Sequence, residues 1–263
     1  EEKYGMTQLG YYGAIENQTN TIQNKFSTDW FYTSVHELAH QWFADMITCE
    51  TWNHGWLNEG FASYSEALYH EAITGNYKEY VNQFLFYDGG SVYLYDVSDP
   101  FNIFQSIIYN KGAYVLHMIR GVMGDDDFFE AIYEYANDDD FMYKQATTED
   151  FQLICEAVYG SDLNYFFDQW IYDEYFPMYA YNYEFDEGNG DLEITIKQAQ
   201  LNLGRREIFT MPMQILIEFE NGSDSIVSIF NDQQLQSFQF NFDDMVSNIE
   251  LDPNDWILKS VYF

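Results

Sequence analysis

The stretch SVHELAHQWF, residues 34–43, places His36 and His40 four positions apart and sets Glu37 directly after the first histidine. The apolar spacing around these residues predicts a helix. Positions i and i+4 share a helix face, so both imidazoles can point at one metal ion, while Glu37 points about 100° away. The pattern predicts a zinc site in which Glu37 is the general base and not a ligand.

A catalytic zinc ion needs three protein ligands and one open position, so the third ligand must come from elsewhere. Glu59 lies in WLNEGFASYSE, at the start of a second predicted helix that stops near Gly75. An antiparallel helix pair would bring Glu59 to the same ion. Glu66 lies two helical turns further along the same face, where it can hydrogen-bond to a ligand imidazole and fix its tautomer.

Two alternatives to a catalytic zinc site deserve comparison. Two ordinary histidines on an amphipathic helix also produce the HELAH pattern, but a correctly spaced glutamate on a second helix disfavours that explanation. A purely structural zinc site is disfavoured because closed sites mostly use cysteine and four protein ligands.

The composition is that of a folded and strongly acidic chain. Of its 263 residues, 47% are hydrophobic and 20% aromatic, which is enough for a core. With 44 acidic and 10 basic residues, the formal net charge is -34, which repels phosphate backbones and anionic lipids. We therefore expect no nucleic-acid partner and no membrane insertion. A solvated acidic coat is the ordinary explanation, and the charge favours an extracellular or periplasmic location over a cytoplasmic one.

Hydrophobic periodicity divides the chain into two regions. Apolar residues recur at helical spacing from about residue 28 to 178 and at a period of two thereafter. The predicted fold class is α+β, with a mostly helical domain at 1–178 and a β-sandwich domain at 179–263. The helix with the histidine pair has a plausible N-cap at Ser27 or Thr28. Further helices are predicted at about 106–122, 126–136, 148–159 and 162–174.

Local signals place individual boundaries. Thr147 with Asp150 predicts the start of a helix, and Gly160 predicts its end. DLEITIKQAQ, residues 191–200, alternates apolar and polar side chains as a half-buried strand does, and EGNG and ENGSD are predicted turns.

Four motifs in order resemble the M1 aminopeptidase family of gluzincins. They are GAIEN at 13–17, HELAH at 36–40, WLNEGFASY at 56–64 and YNKGA at 109–113. The resemblance implies a thermolysin-like catalytic domain with a residual N-terminal strand, followed by a small β-sandwich. It also implies one zinc ion held by His36, His40 and Glu59, and hydrolysis of the N-terminal peptide bond of peptides by zinc-activated water.

The resemblance further assigns roles to residues outside the zinc motif. Glu16 would bind the free α-ammonium group of the peptide, with Ile15 in place of the usual methionine. Gly13 and Ala14 would offer backbone groups to an extended substrate. Tyr109 would donate a hydrogen bond to the oxyanion formed when water attacks the carbonyl.

The sequence departs from the family pattern at its start, where only 12 residues precede GAIEN. Family members normally carry an N-terminal β domain and further strands there, so we expect a fragment of a longer enzyme and an unpaired sheet edge beside residues 10–17. Two other functions stay open. One is a thermolysin-like endopeptidase with the same zinc ligands, and the other is a catalytically silent zinc-containing fragment that acts as a binding module.

Overall fold

The structure is a computed structural model that describes residues 3–10, 13–25, 31–86, 89–200 and 206–262. Its contacts divide the chain into two compact units, Glu1–Phe167 and Asp168–Phe263. Helices predominate in the first unit and strands in the second, which confirms the predicted α+β class. The predicted domain boundary after residue 178 lies eleven residues beyond this division, because the first strand of the second unit begins only at Met178, whereas the unit itself begins with a π-helical turn at Asp168.

The first unit is built around helices with short turns between them. In the described part of the unit the helices are α1 (Phe31–Ala39), α2 (Trp56–Thr74), α3 (Lys78–Val81), α4 (Gly112–Met123), α5 (Asp125–Asn137), α6 (Thr148–Tyr159) and α7 (Asn164–Phe167). A π-helical turn at Ile107–Lys111 leads directly into α4.

The helix ends follow their capping chemistry. Gly75 closes α2 at a φ of 74° and Gly160 closes α6 at 73°, both in the left-handed region that glycine adopts without strain. Thr147 and Asp150 form a reciprocal capping box at the start of α6. These three predicted boundaries are confirmed.

Other helix predictions differ from the structure. The histidine pair was expected inside a helix, but α1 ends at Ala39, one residue before His40. The His40 N–H still donates to the His36 carbonyl at 3.2 Å, so the one-turn spacing persists beyond the helix end. The N-cap predicted at Ser27 or Thr28 lies outside the described residues. Between 162 and 174 the structure has the short α7 followed by a π-helical turn at Asp168–Tyr172.

Two small sheets complete the first unit. Strand β3 (Asn20–Gln23) lies between β1 (Gly5–Gln8), which runs parallel to it, and β2 (Ala14–Ile15), which runs antiparallel. β4 (Ile47–Cys49) pairs in parallel with β5 (Lys144–Ala146), nearly a hundred residues later. The predicted N-terminal strand is therefore present, and β2 lies at an edge of its described sheet.

Helix α2 is the centre of the core because its first three turns are almost completely buried. The Phe61 ring contacts the rings of Phe43 at 4.4 Å and Phe151 at 5.1 Å between centroids. On another face of α2, Gly60 lies against Gly112 of α4 so closely that a Cβ on Gly60 would be 2.9 Å from the Gly112 carbonyl carbon. The two helix backbones can approach this far because neither residue has a side chain.

The second unit is a small β-sandwich, as the sequence predicts. Its strands are β6 (Met178–Asp186), β7 (Asp191–Gln198), β8 (Met211–Phe219), β9 (Asp224–Asn231), β10 (Leu235–Asn241), β11 (Val246–Leu251) and β12 (Ser260–Tyr262). They form sheets of order β10-β7-β6-β12 and β11-β8-β9. Along β7 the alternate residues Leu192, Ile194 and Ile196 are fully buried, which confirms the predicted half-buried strand.

Among the described residues, no helix is both long enough and apolar enough to cross a bilayer.

Candidate metal centre

Three buried side chains from two helical segments converge in the first unit. His36 lies in α1, His40 follows its end, and Glu59 lies in the first turn of α2. The Nε2 atoms of both histidines lie 3.3 Å from the same atom, Oε2 of Glu59. The ligand atoms of the three residues are within 4.8 Å of one another. Two imidazoles and a carboxylate that face one point form a possible metal-binding cluster.

The opposite edge of each imidazole is also held. His36 Nδ1 lies 2.8 Å from Oε1 of Glu66, the residue expected to fix its tautomer. His40 Nδ1 donates to the Phe43 carbonyl at 3.0 Å. Nδ1 donates on each ring, so Nε2 of a neutral ring carries a lone pair directed at the place where the three side chains meet, which a cation can accept.

Charge within the cluster favours a cation. Burial alone would raise the pKa of Glu59, but hydrogen bonds from His36 and His40 lower it to about 2, so this carboxylate is ionised. Burial opposes protonation of His36, yet hydrogen bonds with Glu59 and Glu66 raise its pKa to about 10. In the absence of a metal, the proton on His36 therefore balances part of the negative charge of Glu59 and Glu66. Two imidazoles and a carboxylate are also the donor set of a divalent metal ion such as zinc, which would replace that proton.

Glu37 lies beside the cluster without belonging to it. Its side chain is buried, and Oε2 has no hydrogen-bond partner among the described residues. Burial, against the opposing charges of His36 and His40, raises the pKa of Glu37 to about 7. A carboxylate with this pKa and an unsatisfied oxygen can accept and release a proton near neutral pH.

Tyr109 reaches the same site from the π-helical turn Ile107–Lys111. Its ring stacks near His36, with 6.1 Å between centroids, and it lines the same cavity as Glu59. Burial, followed by the charges of Glu59, Glu16 and Glu37, raises the pKa of Tyr109 above its usual range. The phenol therefore stays protonated and can act as a hydrogen-bond donor.

Glu16 approaches from the edge of the small N-terminal sheet. One carboxylate oxygen lies within 4.8 Å of the nearest ligand-type atoms of Glu37 and His40. Gly13, at a φ of 109°, accepts a backbone hydrogen bond from Asn24, and Ala14 begins the edge strand β2. A carboxylate and the outer strand of the described sheet thus lie together beside the cluster.

These residues line one cavity of about 400 Å³. Its walls are Ala14, Ile15, Glu16, His36, Glu37, His40, Glu59, Phe104 and Tyr109. A larger cavity, of about 570 Å³, lies on the sandwich, and its charged lining residues are Glu184, Asp186, Glu187, Asp191 and Glu193. We place the chemistry in the smaller cavity, because it combines imidazoles, carboxylates and a phenol.

Gln41, which directly follows His40, was not among the predicted site residues. Its Nε2 donates to the Glu16 carbonyl at 3.2 Å and to Oδ2 of Asp45 at 2.8 Å, and its Oε1 accepts from the Thr19 N–H at 2.7 Å. Gln41 thus ties the segment that carries Glu16 to the end of α1, which carries His36. Its position beside the histidine motif is the only hint that the sequence offers.

Comparison with known proteins finds one family along the helical unit. The family model described as "Peptidase family M1 domain" matches residues 14–170, more than half of the chain. "Probable aminopeptidase 1" of Sulfurisphaera tokodaii is 26% identical over 96% of this chain and 32% of that protein. "Aminopeptidase M1-B" of Oryza sativa subsp. japonica is 33% identical over 56% of this chain and 18% of that protein. The chain thus spans about a third or less of the length of these curated relatives.

A solved structure supports the same fold. Legionella pneumophila aminopeptidase A, in complex with aspartic acid, matches with a TM-score of 0.81 at 19% identity, over 98% of this chain and 31% of that one. The match agrees with the expected thermolysin-like domain and sandwich. Motif order, fold and family model agree, and the chain belongs to peptidase family M1.

Proposed function

We propose that this chain binds one zinc ion and hydrolyses the N-terminal peptide bond of peptides. The observation that carries the proposal is the convergence of His36, His40 and Glu59 in a cavity that also contains Glu37 and Glu16. The names of the relatives, which are aminopeptidases, point to the same class of substrate.

His36, His40 and Glu59 would hold the ion, since their donor atoms face one point and the Nδ1 edge of each imidazole is fixed by another group. When bound, zinc supplies a Lewis acid that activates water and polarises the scissile carbonyl. The other side chains of the cavity then have separate tasks.

Glu37 moves the proton. Its pKa of about 7 lets it take a proton from the attacking water and pass it to the leaving amine. Tyr109 stays protonated and donates its hydroxyl hydrogen bond to the oxyanion. A donor in this role contributes on the order of 3 kcal/mol to the transition state.

Glu16 would select substrates with a free N-terminus. Its carboxylate can pair with an α-ammonium group one residue away from the scissile bond, which limits cleavage to the first peptide bond. The backbone of Gly13 and Ala14 at the edge of β2 can pair with the peptide as an added strand.

The test is to purify the 263-residue chain, measure its zinc content, and assay an aminoacyl anilide beside its N-acetylated form. We expect about one zinc per chain and cleavage of the free-amine substrate. Glu37→Gln should keep the metal and lower kcat by about 10² to 10⁴. Glu16→Gln should lower kcat/KM for the free amine far more than for the blocked substrate.

Each alternative has its own outcome. Equal cleavage of free and blocked substrates would indicate an endopeptidase and remove the role of Glu16. Stoichiometric zinc without hydrolysis would indicate a silent binding module. Wild-type turnover by Glu37→Gln would refute Glu37 as the base.

A further inference from the structure

A hydrogen-bonded chain extends outward from the metal centre to a residue that takes no part in the proposed reaction. Glu66 uses one carboxylate oxygen for His36 Nδ1, at 2.8 Å, and its other oxygen accepts the hydroxyl hydrogen of Tyr80. We propose that Tyr80 is a positioning residue for the zinc site, which holds His36 in its metal-binding orientation through Glu66. This inference rests on the proposed function, because it assumes that the cluster binds zinc.

The Tyr80 ring is itself held in place, so it can act as a fixed donor. Tyr80 lies on the short helix α3, is 7% exposed, and packs against α2, which carries Glu66. Its ring contacts the rings of Tyr32 at 4.6 Å, His70 at 5.5 Å and Phe84 at 5.8 Å. The hydroxyl therefore has one well-defined direction, toward Glu66.

The Tyr80 hydroxyl keeps its proton, as a hydrogen-bond donor to Glu66 must. Burial, followed by the negative charge of Glu66, raises the pKa of Tyr80 above its usual range, so the phenol keeps its proton. A carboxylate with two oxygens and two donors, one on each oxygen, cannot rotate without losing a hydrogen bond. Tyr80 thereby fixes the oxygen that His36 Nδ1 requires.

Zinc affinity depends on the orientation of the His36 ring. If Glu66 is free to rotate, His36 Nδ1 loses its fixed acceptor, and the ring samples orientations in which Nε2 no longer faces Glu59 at 3.3 Å. Groups that orient a metal-binding imidazole typically change metal affinity by about 10- to 100-fold when removed. Tyr80 acts one step further out, so we expect the lower end of this range.

The experiment measures zinc affinity, independently of peptidase activity. The zinc Kd of the 263-residue chain is determined by competition with a chromophoric chelator, for the wild type and for Tyr80→Phe, which removes only the hydroxyl. We expect Tyr80→Phe to weaken zinc binding about tenfold and Glu66→Ala by about 10- to 100-fold. The double variant should bind zinc no more weakly than Glu66→Ala alone, since the hydroxyl acts through Glu66.

Tyr32→Phe is the matched control. Its hydroxyl belongs to the same aromatic group but hydrogen-bonds to His70 Nδ1 at 2.6 Å and not to Glu66. We expect its zinc Kd to stay within about twofold of the wild type, although its melting temperature falls.

The outcomes separate this inference from the proposed function. If the wild type binds zinc and Tyr80→Phe has an unchanged Kd, the inference is wrong and the proposed function stands. The inference is also wrong if the Tyr80→Phe effect persists in the Glu66→Ala background. A wild-type chain that binds no zinc would overturn both proposals.

Discussion

Ala44 has a φ of 147°, a backbone conformation that favours glycine, and its side chain is buried. The residue follows Phe43, whose carbonyl holds His40, and its own carbonyl accepts a hydrogen bond from Thr48 Oγ1 at 2.5 Å. These contacts maintain a strained conformation in the loop that follows the candidate ligand His40.

We predict that Ala44→Gly raises the free energy of unfolding by about 1 kcal/mol. Release of backbone strain contributes about 1 to 3 kcal/mol, and the larger entropy of glycine in the unfolded chain offsets part of it. Urea denaturation of the zinc-free proteins measures the difference. Ala62→Gly, in the buried interior of α2, is the control and should destabilise the chain. If Ala44→Gly is less stable than the wild type, the packing of the Ala44 methyl group contributes more to stability than the backbone strain costs.

His54 makes the stability of the first unit depend on pH. The buried ring accepts the Thr148 N–H at its Nδ1 atom, at 3.1 Å, and burial lowers its pKa below the ordinary value of 6.5. The unfolded chain then binds a proton more readily than the folded one. The contribution of neutral His54 to the free energy of unfolding is therefore fully present above about pH 6.5 and is lost as the pH falls through the lower pKa of the folded state.

We predict that His54→Asn reduces this acid sensitivity. Asparagine offers an uncharged acceptor near the position of Nδ1, so the variant lacks the titrating group. Urea midpoints measured between about pH 8 and 5 should fall more steeply for the wild type than for the variant below pH 6.5. If the urea midpoints of the wild type and His54→Asn fall equally with pH, His54 is not the source of the acid sensitivity.

At this scale the sequence predicts the residues that belong to a recognisable motif, including Glu59 and Glu66, and it misses Gln41 and Tyr80, which belong to none. His36 and His40 are one helical turn apart, so their common direction follows from helix geometry. Gln41 and Tyr80 bind groups 14 to 25 positions away. Those distances become contacts only through the fold, and no single-residue property marks them.

Helices α2 and α4 meet at the pair Gly60 and Gly112, which also sets the spacing of two site residues. Glu59 immediately precedes Gly60, and Tyr109 lies one turn before Gly112. A Cβ on Gly112 would lie 3.2 Å from Gly60 Cα, whereas a Cβ on Gly60 would lie 2.9 Å from the Gly112 backbone. Alanine at either position must push the helices apart, and more so at Gly60.

We predict that Gly60→Ala lowers the free energy of unfolding by about 1 to 3 kcal/mol, with a smaller loss for Gly112→Ala. Both variants should also lose turnover, because Tyr109 moves relative to Glu59. Thermal unfolding and the anilide assay measure the two effects. Gly10→Ala is the control, since its Cβ would meet nothing within 4 Å. Unchanged stability of Gly60→Ala would mean that the helices separate at no cost.

Elements with local start and stop residues are predictable, and elements fixed by packing are not. The ends of α2 and α6 follow from Gly75, Gly160 and the Thr147 capping box. The π-helical turn at Ile107–Lys111 has helical periodicity in the sequence, so it was predicted as part of one regular helix. Its wider hydrogen-bonding pattern is a tertiary property, which brings Tyr109 toward Glu59.

Across the whole molecule the net charge of -34 opposes compaction. Like charges even lie opposite each other in the sandwich, where Glu184 pairs with Glu193 and Asp186 with Asp191. Repulsion of this kind is screened over about 10 Å at 0.1 M salt.

We predict that the urea midpoint at pH 7 rises as NaCl increases from about 10 mM to about 0.5 M. Glu193→Gln removes one facing charge, so it should be more stable than the wild type at low salt and gain less from added salt. Glu220→Gln, in the exposed turn after β8, is the control and should respond nearly as the wild type does. A midpoint that is independent of salt would show that repulsion is not what limits stability.

The pairing of β4 with β5 links the site to a segment that is synthesised nearly a hundred residues later. The start of α2, which carries Glu59, and the turn before it are fastened to Thr148 over more than ninety positions. Trp56 Nε1 donates to Thr148 Oγ1, and His54 Nδ1 accepts the Thr148 N–H. A nascent chain that has emerged only as far as α4 already contains both histidines and Glu59, but it lacks this anchor. His36, His40 and Glu59 can therefore settle into their final places only after residues 144–148 have left the ribosome.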